Sequence, residues 1–204
     1  MGQPDEEPQI EIRPVADSFA LEVLGLSLWE PIDDDTIRIL VERWSESGVL
    51  IFRRQALSED EIAAFSVRFG ELEVIVREDW QSSRRPEIIH ISNLKDAAGR
   101  SIGGLGAGEI GWHSDQSYMH KPATGSLLYM AEGSAETGRT QWAHLARAYA
   151  ALPEATKSTI EAKHAVFDYL KRQSTYDDEA PMSPDLRRRT PIVIHPLVNR
   201  HPIS

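Results

Sequence analysis

Cysteine is missing from this sequence of 204 residues, so neither a disulfide nor a thiolate metal site can form. Any metal ion would have to be held by His, Asp or Glu side chains. No apolar run approaches the length of a membrane span, and the acidic start of the chain lacks the basic and apolar regions of a secretory signal. We therefore expect a cytoplasmic protein with no membrane partner.

Basic residues are also scarce, since 22 Lys and Arg stand against 32 Asp and Glu and leave a net charge of -10. A negative surface repels the phosphates of nucleic acids and anionic lipids at long range. The sequence thus predicts a small-molecule substrate and no nucleic-acid partner. The one basic cluster, Arg187-Arg188-Arg189, lies in a polar stretch and is predicted to be a solvated loop.

The length favours one domain with a substantial core over two domains. Residues 1–9 are predicted to be a flexible acidic tail, and residues 10–204 the domain itself. An apolar fraction of 41% and a charged fraction of 26% are ordinary for a globular protein. Neither a disordered nor a fibrous class is indicated.

Capping signals mark two helices. Asp33 and Gly48 bound the first, whose apolar residues recur at the spacing of one helical face. Ser58 and Glu61 form a capping-box pattern that starts the second, and Gly70 ends it. The apolar face of the first helix consists of Ile37, Leu40, Val41 and Trp44.

The remaining elements alternate irregularly along the chain, which favours an α+β fold over a doubly wound sheet. Predicted strands cover residues 49–52, 88–91, 126–130, 165–167 and 192–194, beginning with apolar alternation near residue 10. Predicted helices cover residues 143–152 and 153–163. A long polar loop is predicted for residues 172–191.

The chemistry concentrates in His113 and Asp115. If this segment is extended, both side chains project from the same face, because side chains of a strand alternate. An imidazole nitrogen and a carboxylate oxygen are two arms of the facial triad that holds non-haem iron(II), and a further His would complete it. For so short a pattern, a surface pair without a metal is the alternative.

The surroundings of this pair resemble the N-terminal portion of the taurine dioxygenase (TauD/TfdA) family. The similarity spans about residue 10 to the end of the chain. The matching segments are Trp112-His113-Ser114-Asp115, Ser117-Tyr118, Pro122-Ala123, Ser126-Leu127-Leu128, Thr137-Gly138-Arg139-Thr140, residues 48–53, residues 69–73, His195-Pro196 and His201-Pro202.

The resemblance implies a distorted double-stranded β-helix, a cupin-like jelly roll, with flanking helices. It implies that His113 and Asp115 bind Fe(II), and that Thr140 contacts 2-oxoglutarate, which with O2 is a cosubstrate. The expected reaction hydroxylates a small acidic organic substrate and releases succinate and CO2. Glu109 and Tyr118 flank the metal arm in the sequence and are candidates to face the substrate, with packing as the alternative for Tyr118.

The family completes its site with a later histidine and an arginine, and neither can be placed in the residues after Asp115. His195 and His201 are candidates for that ligand, but the prolines that follow them favour a structural role. We therefore expect a domain that lacks its C-terminal strands. We expect the sequence to be a fragment of a longer oxygenase, because a jelly roll without its closing strands exposes unpaired strand edges. Two alternatives remain open: an inactive truncated jelly roll with a binding or scaffolding role, and a homo-oligomer in which a partner's histidine completes the site.

Overall fold

The computed structural model describes residues 10–105, 110–134, 136, 138–169 and 184–204. The described residues form two compact units, each of which mixes helices and strands. Unit 1 comprises those within Met1–Leu72, Tyr129–Ala148 and Ile203–Ser204, and unit 2 those within Glu73–Leu128 and Tyr149–Pro202. Throughout the described ranges, no helix has the length and apolar character needed to cross a bilayer. The predicted tail, residues 1–9, lies outside the described residues.

Unit 1 is built on a three-stranded sheet. Strand β1 (Glu11–Pro14) pairs antiparallel with β2 (Leu21–Leu24), and β2 pairs parallel with β3 (Leu50–Phe52). A parallel pair requires a crossover connection, which helix α1 (Asp34–Ser47) supplies. The predicted strands near residue 10 and at 49–52 are confirmed, whereas β2 was not foreseen.

Helix α1 is bounded by the residues that the sequence predicted. The Asp33 carboxylate accepts from the Thr36 hydroxyl and from the Thr36 backbone N–H, both at 2.7 Å, and these two bonds lower the pKa of Asp33. Gly48 ends the helix at φ 80°, where its N–H donates to the Trp44 carbonyl oxygen. The helix buries Leu40 completely.

Helix α2 (Glu59–Ser66) begins with the predicted capping box. Glu61 accepts from the Ser58 backbone N–H at 2.7 Å, while the Ser58 hydroxyl accepts from the Glu61 N–H at 3.3 Å. A 3-10 turn over Val67–Phe69 continues α2 to Gly70. Helices and sheet enclose one apolar cluster, whose buried members are Val23, Leu28, Ile37, Leu40 and Phe65.

A charged cluster centred on the middle strand spans this sheet. The Glu22 carboxylate accepts from Arg13 at 2.9 and 3.1 Å and from the Arg53 Nε at 2.6 Å. The hydrogen bonds from Arg13, followed by the one from Arg53, lower the pKa of Glu22. The single carboxylate therefore connects β1, β2 and the residue that follows β3.

The strand predicted at residues 126–130 is wrong. These residues are exposed or half-buried and carry no strand pairing. A strand needs a hydrogen-bonded neighbour, and here the ordering contact is a side chain instead: the Tyr129 hydroxyl accepts from the Leu57 N–H at 3.2 Å and donates to the Gln55 carbonyl oxygen at 3.3 Å. The apolar run therefore predicted neither strand pairing nor burial, since Leu127, Leu128 and Met130 are exposed.

Unit 2 has shorter elements. Its strand pairs are β4 (Ile91–Ser92) with β5 (Gly104–Leu105), parallel, and β6 (His164–Phe167) with β7 (Val193–Pro196), antiparallel. Helix α3 (Leu145–Ala150) begins in unit 1 and ends in unit 2, and helices α4 (Glu154–Ile160) and α5 (Pro184–Arg189) belong to unit 2. The predicted helices at 143–152 and 153–163 and the strands at 165–167 and 192–194 are confirmed.

Helix α5 corrects two predictions at once. The arginine cluster at residues 187–189 lies in a helix and not in a solvated loop, because ion pairs hold it there: Arg188 pairs with Asp185 at 2.9 Å and Arg189 with Glu78 at 2.6 Å. The same helix occupies part of the long loop predicted for residues 172–191. The other part, residues 172–183, lies outside the described residues.

Two glycines let the backbone approach aromatic and carbonyl groups. A side chain at Gly104 would collide with the ring of Trp80, and one at Gly103, where φ is +90°, would collide with the His90 carbonyl oxygen. Trp80 is buried on this side, and the Arg77 guanidinium lies 4.2 Å above its ring. The entry into β5 thus requires glycine at positions 103 and 104.

The hairpin of β6 and β7 has two different faces. Val193 is buried, and Phe167 contacts the ring of His195 at 5.6 Å between centroids. On the opposite face Val166 and Ile194, which are paired across the strands, are 65% and 62% exposed. The alternation of strand side chains places His195 on the packed face.

Candidate metal centre

His113 and Asp115 lie in a loop that enters a turn, and not in an extended strand. The turn begins at Asp115 and passes through Gln116, whose φ is 53°. It is closed by a bond from the Ser117 hydroxyl to the Ser114 carbonyl oxygen at 2.7 Å. His113 Nε2 lies 3.3 Å from Asp115 Oδ1, at the start of this turn.

The second polar atom of each residue is already engaged. His113 Nδ1 is 2.9 Å from the Gly111 carbonyl oxygen, and because a carbonyl can only accept, Nδ1 carries a proton. The Ser126 hydroxyl donates to Asp115 Oδ2 at 2.5 Å. In the neutral ring, His113 Nε2 therefore directs a lone pair towards Asp115 Oδ1.

Two acceptor atoms this close repel each other unless a proton or a cation lies between them. Two ligands at right angles on an octahedral cation, each about 2.1 Å from it, stand about 3 Å apart. The 3.3 Å between His113 Nε2 and Asp115 Oδ1 fits that geometry. The two side chains are 55% and 54% exposed, so further ligands could reach the same point.

The two histidines near the end of the chain contact backbone carbonyl groups and not the metal arm. His195 Nε2 lies 2.9 Å from the Met119 carbonyl oxygen, and His201 Nε2 lies 2.8 Å from the Thr124 carbonyl oxygen. Across the described ranges, no group of three or more His, Asp or Glu side chains could hold a metal ion. The described residues thus bring together two predicted ligands, His113 and Asp115.

The other predicted site residues have different surroundings. Thr140 is exposed and belongs to unit 1, whereas the metal arm belongs to unit 2. Tyr118 packs against Tyr169 with 4.4 Å between ring centroids, in a small cluster with buried Val76. Glu109 lies outside the described residues.

A cavity of about 230 Å³ lies beside the turn that carries the metal arm. His120, Lys121 and Arg189 contribute basic groups to its lining, and Glu73 contributes one carboxylate. Arg189 is paired with Glu78, so its charge is already compensated. One side of the cavity is formed by Tyr118, Met119, His120 and Lys121, which lie at the end of the turn or directly after it.

Two residues of the site escaped the sequence reasoning. Gly111 fixes the His113 tautomer through its carbonyl oxygen, and Ser126 fixes the Asp115 carboxylate from 11 positions away. A backbone carbonyl leaves no trace in residue identity. Ser126 did stand out as part of a motif, but its strand assignment concealed the contact.

Comparison with known proteins places these residues in a defined context. The family model described as "Taurine catabolism dioxygenase TauD, TfdA family" matches residues 11–204. The alpha-ketoglutarate-dependent 2,4-dichlorophenoxyacetate dioxygenase of Cupriavidus pinatubonensis is 30% identical over 92% of this chain and 68% of its own length. The (S)-phenoxypropionate/alpha-ketoglutarate-dioxygenase of Delftia acidovorans is 30% identical over 81% of this chain.

Solved structures agree with this result. A Burkholderia xenovorans protein, described as a candidate alpha-ketoglutarate-dependent 2,4-D dioxygenase, superposes with a TM-score of 0.67 at 27% identity, covering 96% of this chain. The match covers 66% of that structure and 56% of the Delftia acidovorans enzyme. The chain thus spans about two thirds or less of these relatives.

Proposed function

Because the chain belongs to the taurine catabolism dioxygenase TauD, TfdA family, we propose that the protein is an Fe(II)- and 2-oxoglutarate-dependent dioxygenase that hydroxylates a small organic acid. The observation that carries this proposal is the 3.3 Å approach of His113 Nε2 to Asp115 Oδ1, with the second atom of each residue held by another group. When bound, the iron and 2-oxoglutarate supply the oxidising chemistry, consuming O2 and releasing succinate and CO2.

In this proposal the protein's own residues prepare the metal site. The Gly111 carbonyl oxygen keeps the proton of His113 on Nδ1, so Nε2 is ready to bind without a change of tautomer. The Ser126 hydroxyl holds Asp115 Oδ2 and leaves Oδ1 to bind as a single-oxygen ligand. His113 and Asp115 would hold the iron together with one more histidine, and the iron would then provide the site for 2-oxoglutarate and O2.

Thr140 is proposed to donate a hydrogen bond from its hydroxyl to a carboxylate of 2-oxoglutarate. Its exposed side chain is open to such a ligand. Tyr118 and Glu109 are proposed on the substrate side of the arm. The ammonium group of Lys121 in the neighbouring cavity supports an acidic substrate, because it attracts a carboxylate.

We further infer that residues 10–204 belong to one oxygenase domain with a distorted double-stranded β-helix at its core. The superposition on the Burkholderia xenovorans structure supports this inference, together with the family match over residues 11–204. Aryloxy acids are proposed as the first substrates to assay, because both curated relatives named above act on them by name.

The metal arm is tested by anaerobic calorimetric titration of the chain with Fe(II), with and without 2-oxoglutarate. We expect His113→Ala to abolish measurable iron binding, because one carboxylate cannot hold the ion alone. His120→Ala is the matched control, since it removes an imidazole from the same loop but not from the arm. Equal iron binding by wild type and His113→Ala would sink the proposal.

Turnover separates this function from its alternatives. We expect O2-dependent succinate release in the presence of an aryloxy acid, with coupled formation of the hydroxylated product. Binding of iron and 2-oxoglutarate without any turnover over a broad acid panel would favour the binding or scaffolding role. Full activity in a strictly monomeric chain, measured by mass in solution, would exclude a histidine supplied by a partner subunit.

A further inference from the structure

We propose that His195 and His201 are positioning residues that fix the metal arm through the backbone of the loop following it. This inference rests on the proposed function, since it concerns the orientation of Asp115 towards a metal. The loop in question, residues 115–126, starts at the carboxylate ligand and ends at the serine that holds it. We call it the arm loop.

The arm loop is closed at its base by a single side-chain bond. The Ser126 hydroxyl reaches Asp115 Oδ2 at 2.5 Å, so the direction of the carboxylate depends on where the far end of the loop lies. A loop of this length without internal strands or helices has many conformations, and holding its ends together costs entropy. Contacts along the loop must therefore hold it in place.

The two imidazoles provide such contacts at separate points. His195 donates from Nε2 to the Met119 carbonyl oxygen at 2.9 Å, and His201 donates from Nε2 to the Thr124 carbonyl oxygen at 2.8 Å. Both acceptors are backbone groups, so the contacts fix the path of the chain whatever side chains the loop carries. Thr124 lies two positions before Ser126, close to the point that orients Asp115.

The chemistry of the His-Pro dipeptide explains why these donors are rigid. A proline restricts the residue before it to extended conformations, so His195 and His201 are each limited in backbone freedom by Pro196 and Pro202. His195 is held further by its place in β7, opposite Ala165. A donor that is ordered in advance loses little entropy when it binds.

The neighbourhood of His195 reinforces the contact. It shares the packed face of the hairpin with buried Val193 and lies 5.6 Å from the Phe167 ring. Next to Met119 in the loop, Tyr118 packs on Tyr169. The arm loop is therefore held by ring packing and by a hydrogen bond at adjacent residues, 118 and 119.

The test compares His195→Phe and His201→Phe with their glutamine counterparts. Phenylalanine keeps a ring but removes the donor, whereas the glutamine amide can present an N–H near the position of Nε2. His164→Phe is the matched control, because His164 is an exposed histidine of the same hairpin, on β6. Thermal unfolding of every variant checks that the chain is folded.

Two measurements are made on the full chain. Hydrogen exchange reports the order of residues 113–126, and titration with Co(II), followed by its visible absorption, reports affinity and coordination. We expect each phenylalanine variant to exchange faster in the arm loop and to bind Co(II) several-fold more weakly, less than the about 10- to 100-fold loss typical when a group touching a ligand is removed. Both glutamine variants should restore most of the affinity, and His164→Phe should match wild type.

Unchanged exchange and Co(II) affinity in both phenylalanine variants would overturn the inference, as would glutamine variants no better than phenylalanine. If His195→Phe does not fold, exposed His201 carries the comparison alone. Failure of the proposed function has a different signature: Co(II) binding that survives His113→Ala. That result would show that His113 is not a metal ligand, and the two imidazoles would then have no metal arm to position.

Discussion

Unit 1 and unit 2 are held together by different means. Unit 1 encloses a continuous apolar cluster around Leu40, which is completely buried. The apolar cluster of unit 2 centres on two buried residues, Val76 and Tyr169, and many of its large apolar side chains are exposed. Those at least half exposed include Ile91, Leu94, Trp112, Leu128, Val166, Ile192 and Ile194.

Unit 2, whose apolar core is smaller, is also held by polar contacts between distant parts of its chain. His195 and His201 bind backbone carbonyls of the arm loop, and Arg189 pairs with Glu78. Packing stabilises a structure strongly but without direction, whereas hydrogen bonds fix the orientation of particular atoms. The unit with the weaker core is the one that contains the candidate metal ligands. Orientation, and not burial, is what a metal arm requires.

The largest effect should come from opening the core of unit 1. Leu40→Ala is expected to lower the free energy of unfolding by about 2–5 kcal/mol, because it leaves a cavity at a fully buried position. Urea denaturation followed by circular dichroism measures the change. Leu145→Ala, at a leucine that is 67% exposed, should stay within about 0.5 kcal/mol of wild type. Similar losses for both would deny that unit 1 has a specific core.

The next comparison uses neighbouring residues of β7 in unit 2. Val193 is 2% exposed, so Val193→Thr should lower the free energy of unfolding by about 1–3 kcal/mol through burial of a hydroxyl group. Ile194 is 62% exposed, and Ile194→Thr should change the free energy of unfolding by less than about 0.5 kcal/mol. Chemical denaturation of both variants measures the two changes in the free energy of unfolding. A larger loss at Ile194 would mean that the outer face of the hairpin is covered in solution.

A smaller effect is expected at the start of α2. Ser58→Ala removes the hydroxyl that accepts from the Glu61 N–H and should lower the free energy of unfolding by about 1 kcal/mol. Ser45→Ala is the matched control, since Ser45 lies inside α1 and alanine favours a helix interior. The thermal unfolding midpoint should therefore fall for Ser58→Ala, and it should rise or stay unchanged for Ser45→Ala. Equal destabilisation would contradict the cap.

The smallest effect concerns the dependence of unit 1 on pH. Hydrogen bonds from Arg13 and then Arg53 lower the pKa of Glu22 below its usual 4.5, so its contribution to stability is present above pH 4.5 and is lost as pH falls through the lowered pKa. The partners are more than half exposed, at 54% and 58%, which limits the size of the effect.

We expect Glu22→Gln to lower stability near neutral pH and to flatten the acid limb of a plot of unfolding midpoint against pH. Glu46→Gln removes a carboxylate from an exposed pair with Arg43 and serves as the control. Its profile should follow wild type. An unchanged acid limb in Glu22→Gln would show that the sheet does not depend on this carboxylate.

The helices of unit 1 could be predicted because their signals are local. Asp33, Gly48, Ser58, Glu61 and Gly70 each act within one turn of the residue that they cap, so the sequence contains the whole interaction. Strand β2 was missed because its pairing partners lie on either side of it in the chain and one of its four residues is a buried glutamate. Pairing is a long-range property that residue type reports poorly.

The candidate ligands were predictable, but their geometry was not. His113 and Asp115 carry the correct donor types at close spacing, and that much is written in the sequence. Their approach to 3.3 Å depends on the backbone conformation of residues 113–115, which is not that of an extended strand. The contact of Ser126 with Asp115 depends on the closure of an entire loop. Neither leaves a periodic pattern that could be read in advance.

Gly103 and Gly104, at the entry into β5, restrict which substitutions this part of the sequence can accept. Gly104 is packed on the Trp80 ring, and any side chain at Gly103 would meet the His90 carbonyl oxygen. A library randomised over residues 100–104 and selected for folded protein should therefore return glycine at both positions, while exposed Ser101 accepts most replacements. Loss of the Trp80 indole would relax the requirement at Gly104 alone, so the two glycines should become separable by a single change elsewhere.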